Sequence, residues 1–584
     1  GDSEGLLEDE YLELEHADII ETIAWIAAQP WSNGRVGMIG YSWGGFNGLQ
    51  VAARRPAALA AVVSVNSAVR RYTDDCHYTG GSVNAHDMLS WATTMLAYDA
   101  RPPDPAIVGD RWREQWRARL EVAPPMIERW LSHQLEDGYW RHGSVAFEYD
   151  AIACPVLAVG GWSDPYRNAV LDLVEHLPGT RFGLLGPWAH GYPHATDPGP
   201  QIDFLGECAR FFGRYLRADE NGYEHTPVLR AYIQEYDVPA ALQRRRRGRW
   251  VASSTLRTPA TMVLSLGTDG LSSGGGSTGE RRIGSTQTAG LAAGNWCPYG
   301  GPSQPLDQRS DDALSLVFDS RPLATPLEVL GFPLLRLRLR SDRPQAFVAA
   351  RLCDVAPTGE SLLVTRGILN LAHRDGHDRA VPLEPGAEVS VAFRLDAAGH
   401  RFAPGQRLRL ALSPTYWPWI WPSPEPVTLD VLCAGSELEL PLLGEVASWT
   451  PGAAEDVAVV PQEWISASPM SQVRRENVTT GRVELRSQPD FLAGRARVPD
   501  LDLEIEEFGE NLYTIERNDP LSAEVRCVRR VSLFRPGFDV RVEADARMRC
   551  TAGEFIVETD LRAYEDGVEI VAQRFDTRVP RADA

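Results

Sequence analysis

The sequence predicts a parallel α/β sheet that is interrupted by a helical insertion and followed by regions built mostly of β-strands. Strand and helix patterns alternate over residues 1–70 and again over 151–222. A stretch rich in Trp, Arg and Pro, residues 71–150, separates them and is predicted to form a helical cap. After about residue 223 the helical patterns give way to apolar–polar alternation between turn clusters, which is typical of a β-sandwich.

The first α/β stretch runs in the order helix, strand, tight turn, helix, strand. An apolar face at helical spacing predicts a helix over 16–28, and 35–40 is predicted as a short buried strand. A helix is predicted over 43–55, ended by Pro56, and a second buried strand over 60–65. After the cap, which includes a helix at 110–120, two strands and two helices are predicted at 155–160, 167–176, 181–185 and 202–216.

Two β-rich regions are expected in the remainder of the chain. The first, residues 223–450, is predicted to form the β-sandwich, with alternating strands at 335–340 and 407–412 and a flexible glycine-rich loop at 270–279. The second, residues 451–584, is predicted to be a β-rich accessory region.

Two short motifs punctuate these β-rich regions. In the second region Asp566-Gly567 lies between alternating segments and predicts a hairpin. In the first, the basic run Arg244–Arg247 is expected to lie on a solvated loop.

Composition excludes several classes of function. The chain has 584 residues and a net charge of -21, which argues against nucleic acid or an anionic membrane as the main partner. All 58 basic residues are Arg, so a Walker A loop, a Ser-Lys dyad and a Schiff-base lysine are excluded. No apolar run of about 20 residues predicts a membrane span.

The cysteines and the first residues bear on the cellular compartment. The eight cysteines are scattered and form no C-x-x-C, so we expect buried free thiols and a cytoplasmic location. The chain opens on Gly1 directly into a helical pattern, and we expect its natural N-terminus to lie further upstream. Whether a signal peptide precedes this segment therefore stays an open question.

One motif carries the chemistry. Gly40-Tyr41-Ser42-Trp43-Gly44 matches G-x-S-x-G between a predicted strand and a predicted helix, the setting of the nucleophile in an α/β-hydrolase core. The turn would lift the Ser42 hydroxyl clear of the sheet, and the backbone N–H of Trp43 would donate to an oxyanion. The alternative is an ordinary glycine-rich turn between strand and helix.

A serine nucleophile needs a base and an acid, which follow it in the order Asp, His on this fold. Asp164 comes just after the predicted strand 155–160, and His190 just after the strand 181–185. Ser42, Asp164 and His190 are therefore the predicted catalytic triad. Asp164 as a helix N-cap and His190 as a structural loop residue remain alternatives. His190 and His194 form H-x-x-x-H, but no Glu follows His190, so neither a metal nor any other cofactor is expected.

At this point the sequence resembles a known family, the cocaine esterases, α-amino acid ester hydrolases and Xaa-Pro dipeptidyl-peptidases. The resemblance covers roughly residues 1–445. The matching segments are Gly1–Gly5, Trp25–Gly37, Gly40–Gly45, Gly160–Asp164, Gly186–His190, Asp307–Arg309, Arg351–Val355 and Gly405–Leu410.

The resemblance implies an α/β-hydrolase core, a helical cap and a C-terminal jelly roll, with the triad on the same three residues. It further implies that a Tyr hydroxyl from a segment before Gly1 completes the oxyanion hole, and that the first strands of the sheet are missing here. The chain as given is therefore expected to be incomplete, and its activity without that segment stays open.

Substrate contacts are expected from residues near the triad. Asp74 and Asp75 at the entrance to the cap could bind a substrate ammonium group, or form a solvated turn. The aromatic residues Trp162, Tyr166 and Trp188 flank the triad and could line a pocket or pack in the core.

The leading hypothesis is a serine hydrolase that cleaves a small-molecule ester, an amide or a short peptide through an acyl-enzyme. One alternative is an Xaa-Pro dipeptidyl-peptidase. Another is a non-catalytic β-sandwich binding protein with a decayed hydrolase domain. In that case the aromatic run Tyr416–Trp421 would form a sugar-binding platform, or it would pack in the core. A homodimer is considered, and no membrane or nucleic-acid partner is expected.

Overall fold

A computed structural model of the protein describes residues 7–254, 260–284, 286–455, 461–467, 470–488 and 493–582. The matching segment Gly1–Gly5 lies outside these described residues.

The first α/β stretch forms as predicted. Its elements are α1 (Glu13–Ala27), β1 (Val36–Tyr41), α2 (Trp43–Ala53) and β2 (Leu59–Val65). β2 is apolar along nearly its whole length because it is a central strand that is covered on both faces. α2 ends before Pro56, a residue that disfavours helical backbone at the position preceding it.

Residues 71–150 are mainly helical. The elements are β3 (Tyr78–Thr79), β4 (Ser82–Val83), α3 (Met88–Asp99), α4 (Pro105–Val108), α5 (Trp112–Val122), α6 (Ile127–Ser132) and α7 (Gly138–Arg141). α5 buries Trp112, Trp116 and Leu120, which recur every four residues on one face.

The α/β alternation then resumes and two further strands follow it. These elements are β5 (Val156–Gly161), α8 (Arg167–His176), β6 (Arg181–Gly186), α9 (Phe204–Arg217), β7 (Leu229–Glu235) and β8 (Gly248–Ser253). The predicted strands and helices of this stretch are confirmed to within a few residues.

The next region is almost entirely strand. Its elements are β9 (Thr261–Gly267), β10 (Gly270–Ser272), β11 (Glu280–Ile283), α10 (Arg309–Asp312), β12 (Leu316–Asp319), β13 (Leu327–Gly331), β14 (Leu334–Ser341), β15 (Phe347–Val355), β16 (Ser361–Asn370), β17 (Glu388–Arg394), β18 (Ala398–Phe402), β19 (Arg407–Ser413), β20 (Leu429–Pro441) and β21 (Ala447–Ser448). The first residues of the predicted flexible loop at 270–279 form β10.

The last region is a single antiparallel sheet. Its strands are β22 (Glu463–Ala467), β23 (Gln472–Asn477), β24 (Arg482–Ser487), β25 (Ala493–Val498), β26 (Leu503–Glu516), β27 (Asp519–Arg535), β28 (Phe538–Cys550), β29 (Glu554–Glu565) and β30 (Val568–Pro580). The predicted hairpin is confirmed: Asp566 and Gly567 have φ of 48° and 76°, and the flanking residues Glu565 and Val568 pair.

The central sheet holds nine strands. β1, β2, β5, β6 and β7 pair in parallel in that order, and β8 pairs antiparallel with both β7 and β21. β18 then pairs in parallel with β7 and carries β13. Strands from the region predicted as a β-sandwich thus extend the α/β sheet. The sequence did not predict this pairing, because an alternating pattern indicates a strand but not which strand it pairs with.

Two further sheets share one apolar core. The first is ordered β10-β9-β20-β14-β17, with β11 also paired to β20, and the second is ordered β12-β19-β15-β16. β14 and β19 bury every second residue in this core: Leu335, Leu337, Leu339, Leu408, Leu410 and Leu412. The predicted alternation at 335–340 and 407–412 is therefore confirmed.

Two predictions about the whole chain can be compared with the described residues. All eight cysteines are free thiols, as predicted. Within the described ranges, no helix is both long enough and apolar enough to cross a bilayer.

Candidate active site

Ser42 lies on a sharp turn between β1 and α2. Its φ of 56° and ψ of -123° are unusual for a residue with a side chain, and such a conformation costs on the order of 1–3 kcal/mol. The turn is held because the Ser42 N–H donates to Val65 O (2.9 Å) while its C=O accepts from Gly45 N (2.8 Å). Gly40 permits it, since a Cβ there would lie 2.0 Å from the Gly44 carbonyl.

His190 and Asp164 reach Ser42 from the ends of neighbouring strands. Asp164 follows β5 and His190 follows β6, so parallel pairing brings both to the edge of the sheet where β1 ends. His190 Nε2 lies 3.0 Å from Ser42 Oγ, and His190 Nδ1 lies 2.8 Å from Asp164 Oδ2. Both side chains are almost completely buried, with relative exposures of 3% and 0%.

His190 is held by a distant segment of the chain, whereas Asp164 is held within its own loop. The His190 N–H donates to Pro298 O (2.8 Å), and Asp164 Oδ1 accepts from Tyr166 N (2.7 Å). The imidazole therefore stands between a hydroxyl and a carboxylate, the arrangement that can take a proton from the hydroxyl and hold the resulting imidazolium.

Trp43 is the first residue of α2. A backbone N–H in the first turn of a helix has no partner within the helix and lies at the positive end of the helix dipole. The predicted oxyanion donor is therefore placed directly beside Ser42.

Three tyrosine rings surround the His190 imidazole. The ring centroids of Tyr41, Tyr299 and Tyr166 lie 4.7, 5.1 and 5.4 Å from it, and the Tyr41 hydroxyl donates to His190 O (3.2 Å). Only Tyr166 was expected near the triad from the sequence. Tyr41 was signalled by its place inside G-x-S-x-G, whereas the loop that carries Tyr299 has no such signal.

Asp75 contacts Tyr166 rather than the triad residues themselves. Its Oδ1 accepts from the Tyr166 hydroxyl (2.8 Å) and from Cys76 N (2.8 Å), and its Oδ2 lies 3.7 Å from His77 Nδ1. Burial raises the pKa of the Asp75 carboxyl, although His77 opposes the shift. Asp75 thus reaches the site through Tyr166 and does not face Ser42.

A buried charge network continues from Asp75. Burial lowers the pKa of His77, but the Glu10 carboxylate 3.1 Å from His77 Nε2 outweighs it, so the net shift is upward. Glu10 also accepts from the Trp91 indole (2.7 Å) and lies 3.7 Å from the Arg71 guanidinium. Asp75, Cys76 and His77 are near enough to one another to hold a metal ion. Asp75 and His77 are, however, already engaged by Tyr166 and Glu10. His194 instead stacks on Phe204.

The other predicted substrate contacts lie away from Ser42. Asp74 and Trp162 line a cavity of about 440 Å³ between the central sheet and the β-region, and neither Ser42 nor His190 lines it. Burial, reinforced by Asp172, raises the pKa of Asp74 to about 7. Trp188 is 1% exposed, donates to Pro200 O (3.0 Å) and packs against Trp250.

Both halves of the α/β and β-rich part of the chain match models of known families. Residues 1–192 match the family model "X-Pro dipeptidyl-peptidase (S15 family)", and residues 221–441 match "X-Pro dipeptidyl-peptidase C-terminal non-catalytic domain". Cocaine esterase of Rhodococcus sp. (strain MB1 Bresler) is 25% identical over 453 residues, which cover 69% of this chain and 77% of that protein.

Two solved structures are similar in fold. A CocE/NonD family hydrolase from Staphylococcus aureus superposes with a TM-score of 0.58 at 17% identity, covering 76% of this chain and 78% of that one. An α-amino acid ester hydrolase gives 0.59 at 18% identity, covering 74% and 81%. The fold is therefore that of the α/β-hydrolases, with a C-terminal β-region.

Proposed function

We propose that Ser42, His190 and Asp164 are the catalytic triad of this serine hydrolase, which is similar to the X-Pro dipeptidyl-peptidase (S15) family and to cocaine esterase. The observation that carries the assignment is the pair of distances at the imidazole, 3.0 Å to Ser42 Oγ and 2.8 Å to Asp164 Oδ2.

The proposed mechanism follows from these positions. His190 Nε2 takes the Ser42 proton as Oγ attacks the carbonyl carbon of an ester or amide, and Asp164 stabilises the imidazolium. The Trp43 N–H donates to the oxyanion, which contributes about 3–4 kcal/mol in comparable sites. His190 then protonates the leaving group and activates the water that hydrolyses the acyl-enzyme.

A fluorophosphonate probe tests the nucleophile. We expect the protein to be labelled at Ser42 and the Ser42→Ala variant to be unlabelled and unable to hydrolyse an aryl ester. Ser144→Ala is a matched control, because Ser144 is a buried serine that caps Arg71 N and does not contact the triad. Labelling that persists in Ser42→Ala would overturn the assignment.

The substrate class within the family is a separate proposal. We favour esters and simple amides, with Xaa-Pro dipeptidyl-peptidase activity as the alternative because both matching family models carry that description. Comparing hydrolysis of an aryl ester with release of Gly-Pro from its anilide separates the two. A clear preference for the anilide would favour the peptidase.

The β-region has its own proposed architecture. The two antiparallel sheets that share the core of Leu335 and Leu410 support a jelly roll within 223–450. The non-catalytic binding protein is disfavoured, because the aromatic run proposed as a sugar platform is buried, with Trp417 and Trp421 exposed by 1% and 2%. That run packs in the core.

We further propose a homodimer and a cytoplasmic location. Trp25 and Trp31 lie 6.4 Å apart with 60% and 69% exposure, which would suit burial against a second copy. The eight free cysteines suit a reducing compartment. Sedimentation at several concentrations, with Trp25→Glu as the variant, tests the dimer.

A further inference from the structure

The C-terminal sheet packs directly on the helix that borders the active site. Met88 and Ala92 of α3 share an apolar core with Cys527 of β27 and with Ala546 and Met548 of β28. Both matching family models end before this sheet begins, the second at residue 441. The sheet therefore lies outside both matches, and its role has to be inferred from its position in the structure.

Polar contacts fix the position of α3 on the sheet. The Tyr513 hydroxyl donates to His86 O (2.7 Å), and Asn511 Nδ2 donates to Ser90 Oγ (3.1 Å). Arg529, which is 1% exposed, donates through Nε to Thr94 Oγ1 (2.8 Å). This buried guanidinium resists sliding of the two surfaces, because a shift would separate Nε and Nη2 from the hydroxyls of Thr94 and Ser90.

A small cavity of about 30 Å³ lies where the sheet, α3 and the loop after residue 294 meet. Its wall includes Asp87, Trp91, Cys297, Tyr299, Ser487 and Asn511. A space of this size holds roughly one water molecule, or a hydroxyl or amino group.

This cavity adjoins the triad. The Tyr299 ring in its wall lies 5.1 Å from the His190 ring. Tyr299 therefore contacts both this cavity and the imidazole of the proposed triad.

One buried acceptor in this wall is unfilled. Asn511 is 5% exposed, and its Oδ1 has no hydrogen-bond partner among the described residues. The Asp87 carboxylate in the same wall is partly open to solvent, with a side-chain exposure of 21%, and lies 3.9 Å from the His86 imidazole. A buried acceptor without a donor is costly, so a ligand that donates a hydrogen bond would be favoured there. Burial also raises the pKa of Asp87 to about 7, against the opposing charge of Arg529.

We propose that the C-terminal sheet completes the substrate pocket, and that Asn511 with Asp87 selects substrates whose acyl or alcohol part carries a short hydrogen-bond-donating group. This inference rests on the proposed function, since it takes Ser42 as the reacting centre. Asn511 is then a specificity-determining residue supplied from outside the hydrolase core.

Two pairs of nearly isosteric esters test this selection. One pair differs on the acyl side, 4-nitrophenyl glycolate against 4-nitrophenyl propionate, and the other on the alcohol side, 2-hydroxyethyl acetate against propyl acetate. For at least one pair we expect kcat/KM to favour the hydroxyl ester about tenfold or more, because the methyl analogue leaves Asn511 Oδ1 unpaired.

Variants assign the preference to the sheet. Asn511→Leu should reduce the ratio to about threefold or less, since it removes Oδ1 while keeping the branched shape of the side chain. Asn511→Ala removes the same atom and serves if the Leu variant does not fold. Arg486→Ala is the matched control: Arg486 lies on the neighbouring strand β24, pairs with Glu510 (2.8 Å) and is 47% exposed.

The outcomes separate this inference from the assignment of the nucleophile. A ratio that is unchanged in both Asn511 variants, or absent from both ester pairs in the unaltered protein, overturns the role of the sheet. Hydrolysis that survives Ser42→Ala overturns the proposed function instead. An equal loss of activity towards all four esters, with the ratio intact, would mean that Asn511 only supports packing.

Discussion

Asp164 Oδ2 lies 2.8 Å from His190 Nδ1, in a position that water does not reach. In Asp164→Asn the imidazole would lose the carboxylate that stabilises its charged form and fixes its tautomer. We expect kcat for an aryl ester to fall by on the order of 10³–10⁴ with little change in Tm. Asp150→Asn, a variant of an aspartate before β5 that is remote from Ser42, should keep its activity. A loss below tenfold in Asp164→Asn would contradict the role assigned to Asp164.

Two glycines of the same motif should respond differently to alanine. A Cβ on Gly40 would lie 2.0 Å from the Gly44 carbonyl, so Gly40→Ala cannot keep the turn that carries Ser42. A Cβ on Gly44 would meet nothing within 4 Å, and alanine suits a helix better than glycine by about 0.5–1 kcal/mol. We expect Gly40→Ala to lose fluorophosphonate labelling and Gly44→Ala to keep its Tm or gain a little. Equal effects on Tm and labelling would contradict this account.

Asp74 should make stability depend on pH. Its pKa is about 7 in the folded protein because of burial and of Asp172, whereas an unfolded Asp titrates near 4. Between these values the folded state holds a proton that the unfolded state has lost, so stability falls as pH rises. Relative to the unaltered protein, Asp74→Asn should therefore gain stability from about pH 4 to about pH 7, by about 3 kcal/mol.

Denaturant unfolding at several pH values measures this difference. The exposed aspartate Asp375 supplies the control variant Asp375→Asn, which should show no such trend. A difference between Asp74→Asn and the unaltered protein that stays constant across this range would rule out the raised pKa.

Tyr166 should matter for stability more than for the rate of catalysis. Its hydroxyl donates to the buried Asp75 carboxylate (2.8 Å), and its ring packs 5.4 Å from that of His190. Tyr166→Phe keeps the ring and removes the donor, so we expect about 1–3 kcal/mol lower stability and a rate within a few-fold. Tyr192→Phe, at a tyrosine that is 37% exposed, should change neither. A rate loss of a hundredfold in Tyr166→Phe would indicate a direct role for the hydroxyl.

The elements around Ser42 were predictable because local signals agree there. The apolar run before Gly40, the glycines of the turn and the proline after α2 each allow few backbone conformations, and together they allow one. The order of Asp164 and His190 after successive strands then placed them at the same edge of the sheet, since strands that pair in parallel end at the same side.

What the sequence left open depends on contacts between distant segments. Alternating patterns predicted the strands of the β-rich regions but not that β18 would pair with β7. Tyr299 and Asn511 reach the site from loops and strands without a motif, so only the packing of whole sheets brings them near His190. Asp74 lies in a polar stretch that suggested exposure, yet packing against α8 buries its carboxyl.

The pairing of His400 with Gln234 joins the hydrolase core and the β-region into a single hydrogen-bonded sheet. Separating the two by limited proteolysis or by expressing either alone would expose the edge of a strand that is otherwise central. Such a fragment would be prone to aggregate, and heating the whole chain should melt both parts together in one cooperative transition.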